Sequence, residues 1–184
     1  MHKKIIDAAI EEFDENGIRF TMDGLAKRLR MSKRTLYSFI GAKEKLIEDI
    51  IELTFKSIKE QEKQIMDSED MDIVEKLKRV ICTMPASIAP IDYKRIYEIK
   101  DVYPHLYKKI VDHLSTEWEN TMYLVQEGIR QKKLREVNPN MVRQVILGTY
   151  INLLSREFLN ENNISYEEAV QEMIDIVISG IVYR

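Results

Sequence analysis

Cysteine occurs once, at Cys82, so no disulfide can close within the chain and a reducing compartment is expected. Glycine and proline are scarce, with six and four in 184 residues. A sheet protein of this length needs more turn residues, so helices are favoured. No run comes near the roughly 18 apolar residues of a membrane-spanning helix. Residues 1–13 mix charge with apolar positions, unlike a secretion signal, and the expected location is the cytoplasm. Histidine is limited to His2, His105 and His113. The last two share a helix face, but no carboxylate cluster or cysteine pair joins them. Phosphate-cradling, dinucleotide, nucleophile-elbow and zinc-protease motifs are all lacking. An enzyme is therefore disfavoured, and no catalytic residue, metal or cofactor is expected.

What is present suits a globular helical protein. Charged residues make up 32% and hydrophobic ones 45%, with a net charge of −3, which argues against disorder. The average hides an asymmetry. From Leu25 to Lys45 the basic residues Lys27, Arg28, Arg30, Lys33, Arg34, Lys43 and Lys45 face one acid, Glu44. Such a patch on an acidic protein is either a solvated face or a surface that meets phosphate.

Ile5, Ile6, Ala9, Ile10 and Phe13 predict a first helix ended by Asn16-Gly17. Thr21 is the expected cap of a second, short helix with Met22, Leu25, Ala26 and Leu29 inside. Ser32 caps a third, from Lys33 to about Phe39, with little apolar surface beyond Leu36, Phe39 and Ile40. A fourth starts near Lys43 and carries Ile47, Ile50, Ile51, Thr54 and Ile58. After the acidic segment 67–72, helices are expected over Ile73–Met84, between Pro90 and Lys100, and as one long element over 105–133. Further helices are expected from Met141 to about Leu159 and after the capping box Ser165–Glu168. Asn138-Pro139 supplies a cap followed by proline at the first helical position.

Two short helices about three residues apart, the second poor in apolar residues and rich in Lys, Arg, Thr and Tyr, make a helix-turn-helix. Helix two must bury Leu25, Ala26 and Leu29 to hold helix three, which must keep one face open for base edges. The run from Thr21 to Leu46, with Leu25-Ala26, Ser32-Lys33, Thr35-Leu36-Tyr37 and Lys43-Glu44, resembles the signature of the TetR family of repressors. The likeness is specific over residues 1–50. It implies an all-α protein, with a three-helix DNA-binding domain over 1–46 and a helical ligand-binding and dimerisation domain over 47–184.

Carried over to this chain, the resemblance puts Lys33 and Arg34 in the major groove, where a cation can meet guanine or phosphate. Thr35 would meet a phosphate or a thymine methyl, and Tyr37 backbone and base. Lys43, at a helix start, would meet a phosphate, as would the cap Thr21. Four positions depart from the pattern. Arg30 replaces a turn glycine, Phe39 a polar or hydroxylated aromatic contact, Ile40 a phenylalanine, and Ala42 a capping Ser or Asn.

The helices expected after residues 138 and 165 are apolar on two sides, which suits either a central core or a two-fold seam. With the resemblance, the seam is expected at Leu147, Ile151, Leu154, Phe158, Met173, Val177 and Ile181. Partners would then be a second copy and double-stranded operator DNA, with no membrane. The resemblance also implies an effector cavity for a small hydrophobic or aromatic molecule, lined by Met84, Ile88, Tyr93, Tyr97, Trp118, Met122, Tyr123 and Tyr150, although aromatics at such spacing also make plain core. The alternative function is a DNA-binding or protein-interaction module of the same fold with no small effector.

Overall fold

The computed structural model describes residues 1–83, 94–154 and 157–183, with the side chains of 94–97 outside the description. The described residues form α1 (His2–Asn16), a 3-10 turn (Gly17–Arg19), α2 (Met22–Arg28), α3 (Lys33–Ile40) and α4 (Lys43–Asp67). They continue with α5 (Ile73–Ile81), α6 (Lys94–Val102), α7 (Pro104–Thr116), α8 (Glu119–Arg130), α9 (Pro139–Leu154), α10 (Glu157–Asn162) and α11 (Tyr166–Ile181). The fold is all-α, as expected; among the described residues the one β feature is an isolated bridge between Leu134 and Val182. Two compact units divide the chain, residues 1–57 with 84–110 and residues 58–83 with 111–184. No helix among the described residues is long and apolar enough to cross a membrane.

In the first unit, Ile5, Leu25, Leu36 and Leu46 are fully buried, one each from α1 to α4. The helix ends follow local chemistry. Gly17 closes α1 at φ 62°, its N–H returning to the Phe13 carbonyl. Thr21 Oγ1 accepts from Gly24 N at 3.0 Å, and Ser32 Oγ from Thr35 N at 3.1 Å; such caps each stabilise by about 1 kcal/mol. Gly41 stops α3 at φ 69°. The end of α2 differs, because Arg30 takes the left-handed position at φ 52°. Its N–H meets the Lys27 carbonyl and that of Met31 the Ala26 carbonyl, both at 3.0 Å. This is a Schellman closure made without glycine, which costs about 1 kcal/mol.

The second unit is built around Leu77, Leu124, Val125, Leu134, Ile146 and Ile174, all at most 1% exposed. Here α5 packs on α8, while α9 packs on α8 and α11. The expected long helix over 105–133 is two helices, α7 and α8, parted at Glu117-Trp118. The reason is competition for carbonyls. Ser115 Oγ donates to Val111 O at 2.7 Å, Thr116 Oγ1 to Asp112 O at 2.8 Å, and Trp118 Nε1 to Leu114 O at 2.6 Å. The Arg143 guanidinium donates to Ser115 O. With its last acceptors taken by side chains, α7 gains nothing from a further turn. The expected helix over Ile73–Met84 likewise ends at Ile81, and Thr83 Oγ1 donates back to Arg79 O at 2.7 Å. The expected helix from Met141 to about Leu159 is recorded as α9 and α10, with residues 155 and 156 outside the description. The Ser165–Glu168 capping box is present in full.

Gly128 is a point of close packing in this core. A Cβ there would sit 2.7 Å from Leu134 Cδ1 and 2.8 Å from its Cγ, and Leu134 is 1% exposed. Gly128→Ala is expected to lower stability by about 1–3 kcal/mol in urea unfolding. An unchanged midpoint would show that Leu134 repacks freely.

Candidate nucleic-acid interface

The geometry of α3 separates anchor from reader. Only Leu36 and Ile40 are buried; Lys33, Arg34, Thr35, Tyr37, Ser38 and Phe39 are all exposed. With 3.6 residues per turn, Arg34, Thr35 and Ser38 lie opposite the two anchors, and Tyr37 and Phe39 flank them. Thr35 Oγ1 and Ser32 Oγ share a hydrogen bond at 2.8 Å, and Ser38 Oγ donates to Thr35 O at 2.7 Å. Matching residue types alone misses Ser38. Turning the helix about Leu36 and Ile40 finds it.

The basic patch is smaller than its composition implies. Arg28 is gripped by α1: its Nε donates to Glu12 at 2.7 Å, and its other nitrogens meet Glu11 at 3.0 Å and Glu15. The hydrogen bond to Glu12, with help from Glu15, pushes its guanidinium pKa above the ordinary value. Glu12 is itself buried and also accepts from Asn16. Lys45 pairs with Glu48 at 2.8 Å and Asp49 at 3.0 Å. Lys33 pairs with Asp23, both side chains being more than half exposed. A surface pair of this kind is worth at most about 1 kcal/mol, so Lys33 can leave Asp23 for a phosphate. Lys27, Arg30 and Arg34 have no carboxylate partner among the described residues.

Lys43 does not point outward. Its ammonium donates to Ile18 O and, at 2.6 Å, to Phe20 O, and lies 4.2 Å from the Phe20 ring centroid. Burial lowers its pKa. In this structure the cation fixes the 3-10 turn to the start of α4, and the phosphate contact expected of Lys43 would require it to leave these carbonyls. Ala42 offers no side-chain cap there, and the turn carbonyls use the nearby lysine instead. Thr21 is exposed, but its Oγ1 is committed to capping α2.

The same turn is held from a second side. Glu98 of α6 accepts from Ile18 N at 2.9 Å. Around it, His105 Nε2 lies 2.9 Å from Glu44, and Lys109 spans Glu48 at 2.8 Å and Glu52 at 2.6 Å. Hydrogen bonds from Lys109 and Lys45 hold the Glu48 carboxyl at about 2. These links tie α6 and α7 to α4 and the turn within the first unit, and single-sequence spacing gave no sign of them.

Residues 5–50 match the family described as bacterial regulatory proteins, tetR family. The HTH-type transcriptional regulator YvaF of Bacillus subtilis (strain 168) is 25% identical over 181 residues, covering 98% of this chain and 95% of YvaF. The TetR family transcriptional regulator PfmR of Thermus thermophilus has a TM-score of 0.69 at 23% identity, covering 96% of this chain and 97% of PfmR. FadR of Bacillus subtilis, solved with stearoyl-CoA, has a TM-score of 0.63 at 20% identity, covering 98% of this chain and all (100%) of FadR. Over residues 5–50 the chain is thus similar to the tetR family of bacterial regulatory proteins, and its fold is that of TetR-type structures over nearly its whole length. The helix-turn-helix within that match is formed by α2 and α3.

The remaining sequence-derived sites scatter. Of the seven seam residues, Met173 and Ile181 lie in the core of their own unit, and Leu147 and Leu154 are buried too. Val177 is half-buried, while Ile151 and Phe158 are exposed. Periodicity identified a two-sided helix without saying which side faces inward. Of the cavity residues, Met84, Ile88, Tyr93 and the Tyr97 side chain lie outside the described residues. Trp118 and Met122 are half-buried, and the Tyr150 hydroxyl donates to Ile81 O. Tyr123 is exposed and lines an open cleft of about 620 Å³ with Met66, Asp72, Lys76 and Glu127; that charged rim is a poor place for a lipophile.

Lys43→Ala is expected to lower stability by about 1–3 kcal/mol, because two partly buried carbonyls lose their donor. Denaturant unfolding checks this. Weakened DNA binding with an unchanged midpoint would return Lys43 to a phosphate role.

Proposed function

We propose that this TetR-family regulator is a repressor that binds a palindromic operator as a homodimer and leaves it when a small hydrophobic effector binds. Residues 1–46 form the DNA-binding domain in this reading, and 47–184 serve dimerisation and effector binding. The observation that carries it is the outer face of α3, where six of eight residues are exposed around two buried anchors. A helix with that division can enter a major groove and remain attached to its support. Arg34 is the direct reader of base or phosphate, Thr35 and Tyr37 flank it, and Lys33 exchanges Asp23 for phosphate.

Dimerisation is supported by what α9 and α11 leave uncovered. Met141, Val145 and Ile151 of α9 and Ile176 of α11 are exposed, Ile176 at 73%. Among the described residues nothing lies within 4 Å of where a Cβ would stand at Gly148 or Gly180 in these helices. Glycine inside a helix costs about 1 kcal/mol relative to alanine, and no described neighbour requires it here. Close approach of a second copy does. Two copies would present their α3 helices about 34–36 Å apart, one turn of the duplex.

The effector class is argued from the half-buried Trp118 and Met122 and from FadR, a structural neighbour solved with stearoyl-CoA. A thermal-shift panel of lipophilic compounds, acyl-CoA thioesters included, tests it. A panel without a single shift rejects an effector of this class.

Selection of bound sequences from a random duplex pool is expected to return a palindrome with half-sites one helical turn apart. Recovery of unrelated sequences would refute the operator reading. Arg34→Ala and Tyr37→Ala should each weaken binding to the selected site by about 1–3 kcal/mol with unchanged unfolding. Val145→Asp should leave a folded monomer in sedimentation; a persistent dimer would place the seam elsewhere.

A further inference from the structure

Arg30 stands where a glycine would be unstrained, and we propose that it is retained as a phosphate anchor for duplex DNA. The inference rests on the DNA-binding reading and adds a contact residue outside α3. Arg30 is exposed and left-handed at φ 52°. Backbone hydrogen bonds at Arg30 and Met31 fix its Cα in the turn, two residues before the Ser32 cap of α3. Arg28, Lys43 and Lys45 spend their charge on partners in this chain, and Lys33 is paired with Asp23. Arg30 has none among the described residues, so its guanidinium is available to an anion presented to the reading face. A planar fork on a fixed Cα suits the two free oxygens of a phosphodiester. Such a contact sets register and affinity without reading sequence.

Strain alone does not make this case, because Lys132 closes α8 in the same way. It has φ 55°, its N–H bonds to Ile129 O, and that of Lys133 bonds to Gly128 O. Lys132 is in the second unit and serves as the internal reference. Replacement by glycine should relieve both turns equally, but only one replacement should alter DNA binding.

The experiment measures binding of wild type, Arg30→Gly, Arg30→Lys, Arg30→Ala and Lys132→Gly to a random-sequence duplex across a salt series, with thermal unfolding alongside. Arg30→Gly should raise the unfolding midpoint by about 2–4 °C while weakening binding about tenfold at low salt. It should also flatten the log-log salt slope by about 0.9 for each head engaged. Arg30→Ala should lose the same slope without the thermal gain, and Arg30→Lys should keep the slope. Lys132→Gly should gain the same few degrees with its slope intact. Wild type that binds with a slope matched by Arg30→Gly overturns the inference and leaves the regulator reading standing. Wild type that binds no duplex at low salt overturns that reading, and this one with it.

Discussion

Helix α3 must be exposed and immobile at once, and the rest of the first unit is arranged to meet that demand. Eight residues are too few for a stable helix in water. Two buried anchors, Leu36 and Ile40, contribute about 1.5–3 kcal/mol each, well short of the entropy of ordering the segment. The balance comes from neighbours. Leu25 and Ala26 of α2 are buried with them, Ser32 and Gly41 fix the ends, and α1 locks α2 through Glu12 and Arg28. The turn between α1 and α2 is gripped at Ile18 and Phe20 by Lys43 and Glu98. A reading helix thus borrows its rigidity from its neighbours in the first unit.

The same arrangement reconciles a net charge of −3 with a nucleic-acid partner. Many of the acids on α1, α2 and the start of α4 have cations of the patch as partners: Glu12 and Glu15 for Arg28, Asp23 for Lys33, Glu48 and Asp49 for Lys45. What remains for phosphate is narrow: Lys27, Arg30, Arg34, and Lys33 once it leaves Asp23. A few unpaired cations around an uncharged strip of Thr35, Tyr37 and Ser38 suit recognition in which phosphate sets register and the groove supplies discrimination. A continuous basic surface would raise affinity for every duplex alike.

How much of this was legible in the sequence depends on the range of the forces involved. Caps at Thr21, Ser32 and Ser165 are local chemistry, and they stand where the residues alone put them; the left-handed turn at Arg30 followed from the resemblance. The family resemblance follows from a string of residue types at fixed spacing. Errors begin where side chains compete over several residues, as at the end of α7, where Ser115, Thr116 and Trp118 each take a carbonyl. An apolar stripe continues across that break, so periodicity reads one helix. Tertiary choices were illegible: nothing near Lys43 in sequence says that its ammonium turns to carbonyls 23 and 25 residues earlier, or that Met173 faces its own core.

The hold of α6 on the head gives the proposed regulation a physical footing. The first unit includes α6 and the start of α7 together with α1 to α3, and Glu98 accepts the Ile18 N–H directly. The Ile18 carbonyl is taken by Lys43 of α4, so one peptide segment receives constraints from two helices. Moving α6 without α4 must stretch or break one of these hydrogen bonds, and moving both together must carry the turn along. Because α1 and α2 meet at that turn and α2 carries α3, a displacement of α6 reaches the reading face through backbone and short polar contacts. Packed elements joined in this way shift between discrete arrangements and do not deform gradually. An effector of the proposed kind that bound one arrangement of α6 more tightly than another would select among orientations of α3, with leverage limited to its own difference in affinity for the two.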